Sequence, residues 1–214
     1  MNEKASAALP GKFIAFEGID GSGKSSQIKR LSRRLSQLEI KCYETREPTD
    51  SPIGSLVHQM MTGRIAADNR VIASLFIADR LDHLLNKTDG ILDIINSGIS
   101  VLTDRYYFSS YAYNGIEIDM DRIIQGNAIV ADILRPTLTV FLDIPVEAAL
   151  ERIKRERLHT EIYETAERLT LARTKYFEAF EKLSGIENVA IVDADAEIDV
   201  VRDRIWNIVS GYFE

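Results

Sequence analysis

The chain has 214 residues, enough for one α/β domain that buries its core without disulfides or a structural metal. Hydrophobic residues make up 45% and charged residues 28%, which excludes wholesale disorder. With 26 basic against 33 acidic side chains, the net charge of −7 disfavours non-specific binding to nucleic acid or anionic membranes.

Cys42 is the single cysteine, so no intrachain disulfide can form. No apolar run approaches the ~18 residues of a membrane span. The opening MNEKASAALPGK lacks the apolar stretch of a signal peptide. A cytoplasmic location is therefore expected. Residues 1–11 read as a flexible tail and 12–214 as a single domain.

Five short, continuous apolar segments read as strands: 12–17, 41–45, 99–103, 138–143 and 189–192. Continuous rather than alternating patterns fit strands covered by helices on both faces. After the first strand, Ile28, Leu31, Leu35 and Leu38 share one helical face, while Lys29, Arg30, Arg33 and Arg34 lie mostly on a solvated one. Residues 68–97 read as one broken helix or two consecutive ones. Within it, Val71, Leu75, Ala78, Leu81 and Leu85 make the expected packing stripe. Pro145 suits the first turn of a helix running to residue 155, and a last helix is expected over 198–212. The expected fold is a doubly wound, five-stranded parallel sheet of the phosphate-loop NTPase type.

Gly18-Ile19-Asp20-Gly21-Ser22-Gly23-Lys24-Ser25 fits G-x-x-x-x-G-K-[ST] between a strand and a helix, as that motif requires. The glycines let backbone N–H groups turn toward a polyphosphate, Lys24 reaches the terminal phosphates, and Ser25 can ligate Mg²⁺. Ser26 extends the ATP-binding run. The strand over 99–103 ends in Asp104-Arg105: the acid sits where it can hold Mg²⁺, and the arginine where it can clamp a phosphate. Arg46 closes the second strand. By the topology of doubly wound sheets, all these strand ends converge. A second arginine cluster suits a kinase that must hold two polyanions together.

Phe76 and Arg80, at i and i+4, point away from the expected packing stripe. They could stack on and hydrogen-bond to a base, or Phe76 could pack under a loop. Residues 104–115, DRYYFSSYAYNG, hold five aromatics that core packing could mostly explain; Ser110 and Tyr113 are hydroxyls suited to the edge of a base or sugar. Asn86-Lys87-Thr88-Asp89 spells the guanine-reading tetrapeptide of GTPases, but it follows a helical pattern rather than a buried strand and reads as a coincidence.

From about residue 12 to 205 the chain resembles the thymidylate kinase family. The resemblance is carried by FEGIDGSGKSS at 16–26, REP at 46–48, LFIADR at 75–80, DRYYFSSYAYNG at 104–115 and LDIPVEAALERI at 142–153. It implies transfer of the γ-phosphoryl of ATP to dTMP, with Mg²⁺, by a homodimer. It further implies that Asp20 engages the sugar 3′-OH region, that Arg46 and Arg105 hold the acceptor phosphate, and that Phe76 stacks on thymine. Arg80 would bond the exposed thymine oxygen, and Ser110 and Tyr113 would line the base and deoxyribose.

Similar kinases close a lid arginine over the ATP phosphates. Here the lid is expected around 152–164, with Arg155 the first candidate, then Arg157 or Arg152. Lys24, Arg105, Arg155 and Asp20 form the expected catalytic set. Asp193, after the fifth strand, matches the loop beside adenine. Departures are Thr49-Asp50 in place of a frequent glycine pair, Ile162 in place of a lid arginine, and Asn114 in place of a glutamine. The competing readings are a kinase for another deoxynucleotide or nucleoside, and a GTP-binding switch.

Overall fold

The computed structural model describes residues 10–156 and 165–213. In chain order the elements are β1 (Phe13–Glu17), α1 (Lys24–Gln37), β2 (Cys42–Arg46), α2 (Pro52–Met61), α3 (Asn69–Leu85), α4 (Ile91–Asn96), β3 (Ser100–Asp104), α5 (Tyr107–Tyr113), α6 (Met120–Ile133), β4 (Leu138–Asp143), α7 (Val146–Glu156), α8 (Ala166–Lys182), β5 (Val189–Asp193) and α9 (Ile198–Val209). The strands form one parallel sheet in the order β2-β3-β1-β4-β5. β1 is buried along its whole length, and β3 and β4 at all but their last residue. Side chains alternate between faces, so helices must cover both sides of the sheet.

The five expected strands are present with ends shifted by no more than a residue. The long helical stretch divides into α3 and α4, and Asn86-Lys87-Thr88-Asp89 falls at the C-cap of α3 and the turn after it, not behind a strand. Leu38 is not on the buried face of α1; it is the C-cap, 54% exposed, because the helix ends there. A helix the periodicity left unassigned, α2, carries a local signal: Ser51 caps the Gly54 amide and Pro52 occupies the first turn.

The expected stripe on α3 is only partly inward: Leu75, Ala78 and Leu81 are half-buried, with Leu81 against the core, but its two ends are not. Val71 is 46% and Leu85 52% exposed, while Ile72, Ala73, Asp79, Arg80 and Leu84 are buried. The inward side of α3 interleaves apolar Ile72, Ala73 and Leu84 with polar groups that meet partners on other elements, so hydrophobic periodicity alone centres the stripe off the buried side. Four of the five aromatics between 104 and 115, Tyr106, Tyr107, Phe108 and Tyr111, are core residues. The lid segment beyond residue 156, including Arg157 and Ile162, and most of the expected tail lie outside the described residues.

Candidate active site

A cavity of about 850 Å³ opens along the carboxyl ends of β1, β2 and β3. One end is the phosphate loop. β1 stops at Glu17, and Gly23, at φ 92°, precedes α1 with no side-chain cap. The first amides of α1 are therefore left for an anion, with the helix dipole behind them. Gly21 sits at φ 78°, and a Cβ there would stand 2.5 Å from the Ala149 carbonyl oxygen, so this position excludes a side chain. Lys24 Nζ folds back on the Gly18 and Ile19 carbonyls at 3.0 and 3.1 Å. Burial and the nearby Arg105 lower its pKa to about 8, against the pull of Asp104, Asp20 and Glu17.

The Ser25 hydroxyl donates to Asp104 Oδ2 at the end of β3. Two hard oxygen ligands thus converge in front of the loop, the donor type Mg²⁺ takes. On the same side Arg152 donates to the Ala194 and Ala196 carbonyls at 3.0 and 3.4 Å. Residues 195–198 line the cavity; Asp193 does not, its carboxylate being paired with Arg204 at 2.8 Å. Arg155 lines the mouth with its side chain 80% exposed, held among the described residues by a 3.8 Å contact to Glu151.

Between the two ends lies Asp20. Its Oδ1 accepts from Arg105 Nη2 at 2.6 Å, and its Oδ2 from the Tyr113 hydroxyl at 2.8 Å. Burial pushes its pKa up, but Arg105, Lys24 and Tyr113 pull it down, to about 2. The Arg105 backbone takes φ 76°, a region rarely used by residues with a side chain.

The far end is built around Arg80, whose side chain is 1% exposed. Nε donates to Glu47 Oε2 at 2.6 Å, Nη1 to Asn127 Oδ1 at 2.6 Å and Ser110 Oγ at 3.2 Å, and Nη2 to the Tyr106 carbonyl at 3.2 Å. One Nη2 proton has no partner among the described residues. His83 meets Glu47 at 3.2 Å and Thr45 at 2.7 Å. Buried Asp79 accepts from the Thr49 amide and hydroxyl and the Ser51 hydroxyl, tying α3 to the loop after β2. Phe76, Ser110 and Tyr113 line this end, with Asn114, whose buried Oδ1 has no partner among the described residues. Arg46 lines it too, 63% exposed and paired with Asp50 at 2.8 Å.

Glu17, Glu47 and Ser109 lie in the motifs quoted above but carry no role that the sequence assigns, and Asn127 and Tyr176 lie outside those motifs. Asn127 and Tyr176 had a signal: each occupies a core position on an otherwise apolar helical face, at Ile123-Asn127-Val130 and Ala172-Tyr176-Ala179.

The model of the thymidylate kinase family matches residues 16–205, most of the chain. The chain belongs to the thymidylate kinase family. A thymidylate kinase of Desulfotalea psychrophila is 38% identical over 202 residues, covering 93% of this chain and 95% of its own. One from Ligilactobacillus salivarius is 32% identical over 212 residues, covering 95% of this chain and 100% of its own. Among solved structures, a thymidylate kinase from Candida albicans superposes with a TM-score of 0.78 at 26% identity, over 95% of this chain and 92% of that one. In this member of the family one cavity holds a phosphate loop at one end and a buried arginine network at the other.

Proposed function

We propose that this cavity transfers the γ-phosphoryl group of ATP to the phosphate of dTMP, giving dTDP and ADP. The observation that carries the reading is the pairing of a phosphate loop with a separate, pre-built arginine site in one cavity. Hydrolysis alone has no use for the second site.

On the donor side, the amides at the start of α1 and Lys24 hold the phosphates of ATP. Ser25 and Asp104 would hold Mg²⁺, which when bound screens the charge on those phosphates. Residues 195–198 would flank adenine. Because Gly21 admits no side chain, a charge closing over the transferred group must come from elsewhere, and Arg155, exposed and loosely held, is our candidate. On the acceptor side, Arg105 and Arg46 clamp the dTMP phosphate and Phe76 stacks on the base. The free Arg80 proton suits the carbonyl at position 4 of thymine; the amino group of cytosine at that position would present a donor to a donor. Asp20 and Tyr113 lie where the deoxyribose would rest. Catalysis then consists of holding two anions in line and neutralising the charge that spreads over the moving phosphoryl.

A homodimer is part of this reading. Val71 and Leu85 of α3 and Ile129 of α6 leave apolar surface exposed on two helices that pack together. Sedimentation should give twice the 24.1 kDa chain mass, and Val71→Glu with Leu85→Glu should give the monomer. A wild-type monomer would remove this element. A cytoplasmic location completes the reading, since ATP is the donor.

The test of the reaction is ADP release across dTMP, dUMP, dCMP, dGMP, AMP and thymidine, with ATP and with GTP as donors. Strong preference for dTMP supports the reading. Preference for another acceptor would support the other-deoxynucleotide alternative, and acceptor-independent turnover of GTP would support the switch.

A further inference from the structure

Glu17 ends β1, is fully buried and does not line the cavity. A carboxylate sealed from water is costly unless its lone pairs are filled. Here four donors fill them: the amides of Tyr106 and Ser109 on Oε1 at 2.8 and 3.1 Å, and the hydroxyls of Ser109 and Tyr176 on Oε2 at 2.7 and 2.9 Å. Burial raises its pKa above the ordinary value despite Ser109, Arg105, the Tyr106 amide and Tyr176, which all pull the other way.

All four donors belong to the housing of Arg105. Tyr106 follows Arg105 directly, and the Arg105 amide itself donates to Phe16, one residue before Glu17, at 2.9 Å. The end of β1 thus grips the positive-φ residue from both sides, and such a backbone persists only where its surroundings over-determine it. The two hydroxyls reach the guanidinium: Arg105 Nη1 meets Ser109 Oγ at 2.9 Å and Tyr176 Oη at 3.4 Å. Each hydroxyl has one proton to give, and Ser109 Oγ and Tyr176 Oη also stand 2.9 Å from each other, so Glu17 competes with that contact for the protons. With both protons given to Glu17, both oxygens turn lone pairs to Arg105.

We infer that Glu17 is a positioning residue for Arg105: it orients the Ser109 and Tyr176 hydroxyls as acceptors and pins the strained backbone, so that the guanidinium stays aimed at the acceptor phosphate. The inference rests on the reading of Arg105 as the clamp for that phosphate. Through Tyr176 it also brings α8 into the acceptor site, although α8 supplies no residue to the cavity lining.

The experiment compares Tyr176→Phe, Ser109→Ala and Glu17→Gln, each in the wild-type and the Arg105→Ala background. It reads steady-state kinetics, dTMP affinity by calorimetric titration, and melting temperature. In the wild-type background, each hydroxyl variant should lose about tenfold in kcat/KM for dTMP and Glu17→Gln roughly a hundredfold, with KM for ATP held within about twofold. In the Arg105→Ala background the losses in dTMP affinity should shrink to within about twofold, because the group being positioned is gone.

Losses of equal size in both backgrounds, or equal rises in KM for ATP and dTMP, would overturn the inference in favour of a purely structural tie. So would wild-type dTMP kinetics in all three variants. If Glu17→Gln does not fold, the two hydroxyl variants decide the question by themselves, since they leave the carboxylate in place. An Arg105→Ala enzyme with unchanged dTMP kinetics would defeat the clamp reading itself, whereas a crippled one with additive losses defeats only the role of Glu17.

Discussion

The two ends of the cavity are built in different ways. The donor end is backbone: the loop between β1 and α1 presents amides, and its few side chains are contiguous in the chain. The acceptor end is side chain, with Arg80 held by Glu47 from the loop after β2, Ser110 and Tyr106 from the β3–α5 region, and Asn127 from α6. A polyphosphate is the same in every nucleotide, so a cradle of amides is enough for it. A base must be told from other bases, which takes donors fixed in direction before the ligand arrives.

The largest effect expected from this contrast is on the donor side. Lys24→Ala should lower kcat by about a hundredfold to a thousandfold for every acceptor, as removal of a charge aimed at the developing anion does. A loss that differed from acceptor to acceptor would blur the division between the two ends. Next comes Arg80→Ala, which leaves buried Glu47 with only His83 as a partner among the described residues. It should cost about 3 kcal/mol or more in urea unfolding and erase the preference for dTMP over dCMP, while ATP affinity holds. Unchanged stability would show that the network is not the rigid unit described.

Asp20 joins the two ends, and its charge gives a pH signature. Its pKa in the folded chain, about 2, lies below the ordinary 3.8, so its contribution is present above pH 4 and is lost as pH falls toward 2. The shift corresponds to about 2 kcal/mol. The stability gap between wild type and Asp20→Asn should therefore be open at pH 5 and close toward pH 2; a gap that ignores pH would contradict the pairing with Arg105.

Lys24 gives a smaller and opposite signal. With a pKa near 8 in the free chain, it is partly neutral at pH 8.5, and a bound polyphosphate raises it. ATP binding at that pH should take up a fraction of a proton, measurable by calorimetry in buffers of different ionisation enthalpy. Proton release would reverse the account.

The smallest effect belongs to Asp50. Its ion pair with Arg46 is exposed, so Asp50→Ala should improve KM for dTMP only about twofold to threefold. A worse KM would mean that Asp50 orients Arg46 instead of competing for it.

The same contrast explains what could be read from the sequence. The phosphate loop is legible because its chemistry needs particular residues at fixed spacing between a strand and a helix. β1, β3 and β4 are legible because strands covered on both faces leave unbroken apolar runs, whereas β2, at the sheet edge with no buried residue, carries Glu44 and Arg46 and gives a weaker signal. Arg80 is visible as a residue, but Glu47, Asn127 and Tyr106 are scattered across the chain, and only folding brings them to it. α3 shows the cost most clearly: its inward side mixes Ile72, Ala73 and Leu84 with Asp79, Arg80 and His83, and its ends leave Val71 and Leu85 exposed, so apolar periodicity places the buried side imprecisely. Glu17 was hidden differently, as the last residue of a strand motif whose apolar neighbours drew the eye.

The most direct test of the central claim is to quantify dTDP and ADP together, with dTMP and dCMP as acceptors, for the wild-type chain and Arg80→Met. The wild type should form one dTDP for each ADP and transfer at least about a hundredfold more poorly to dCMP, a preference that Arg80→Met should lose. ADP formed without dTDP, or equal wild-type rates on dTMP and dCMP, would contradict that claim.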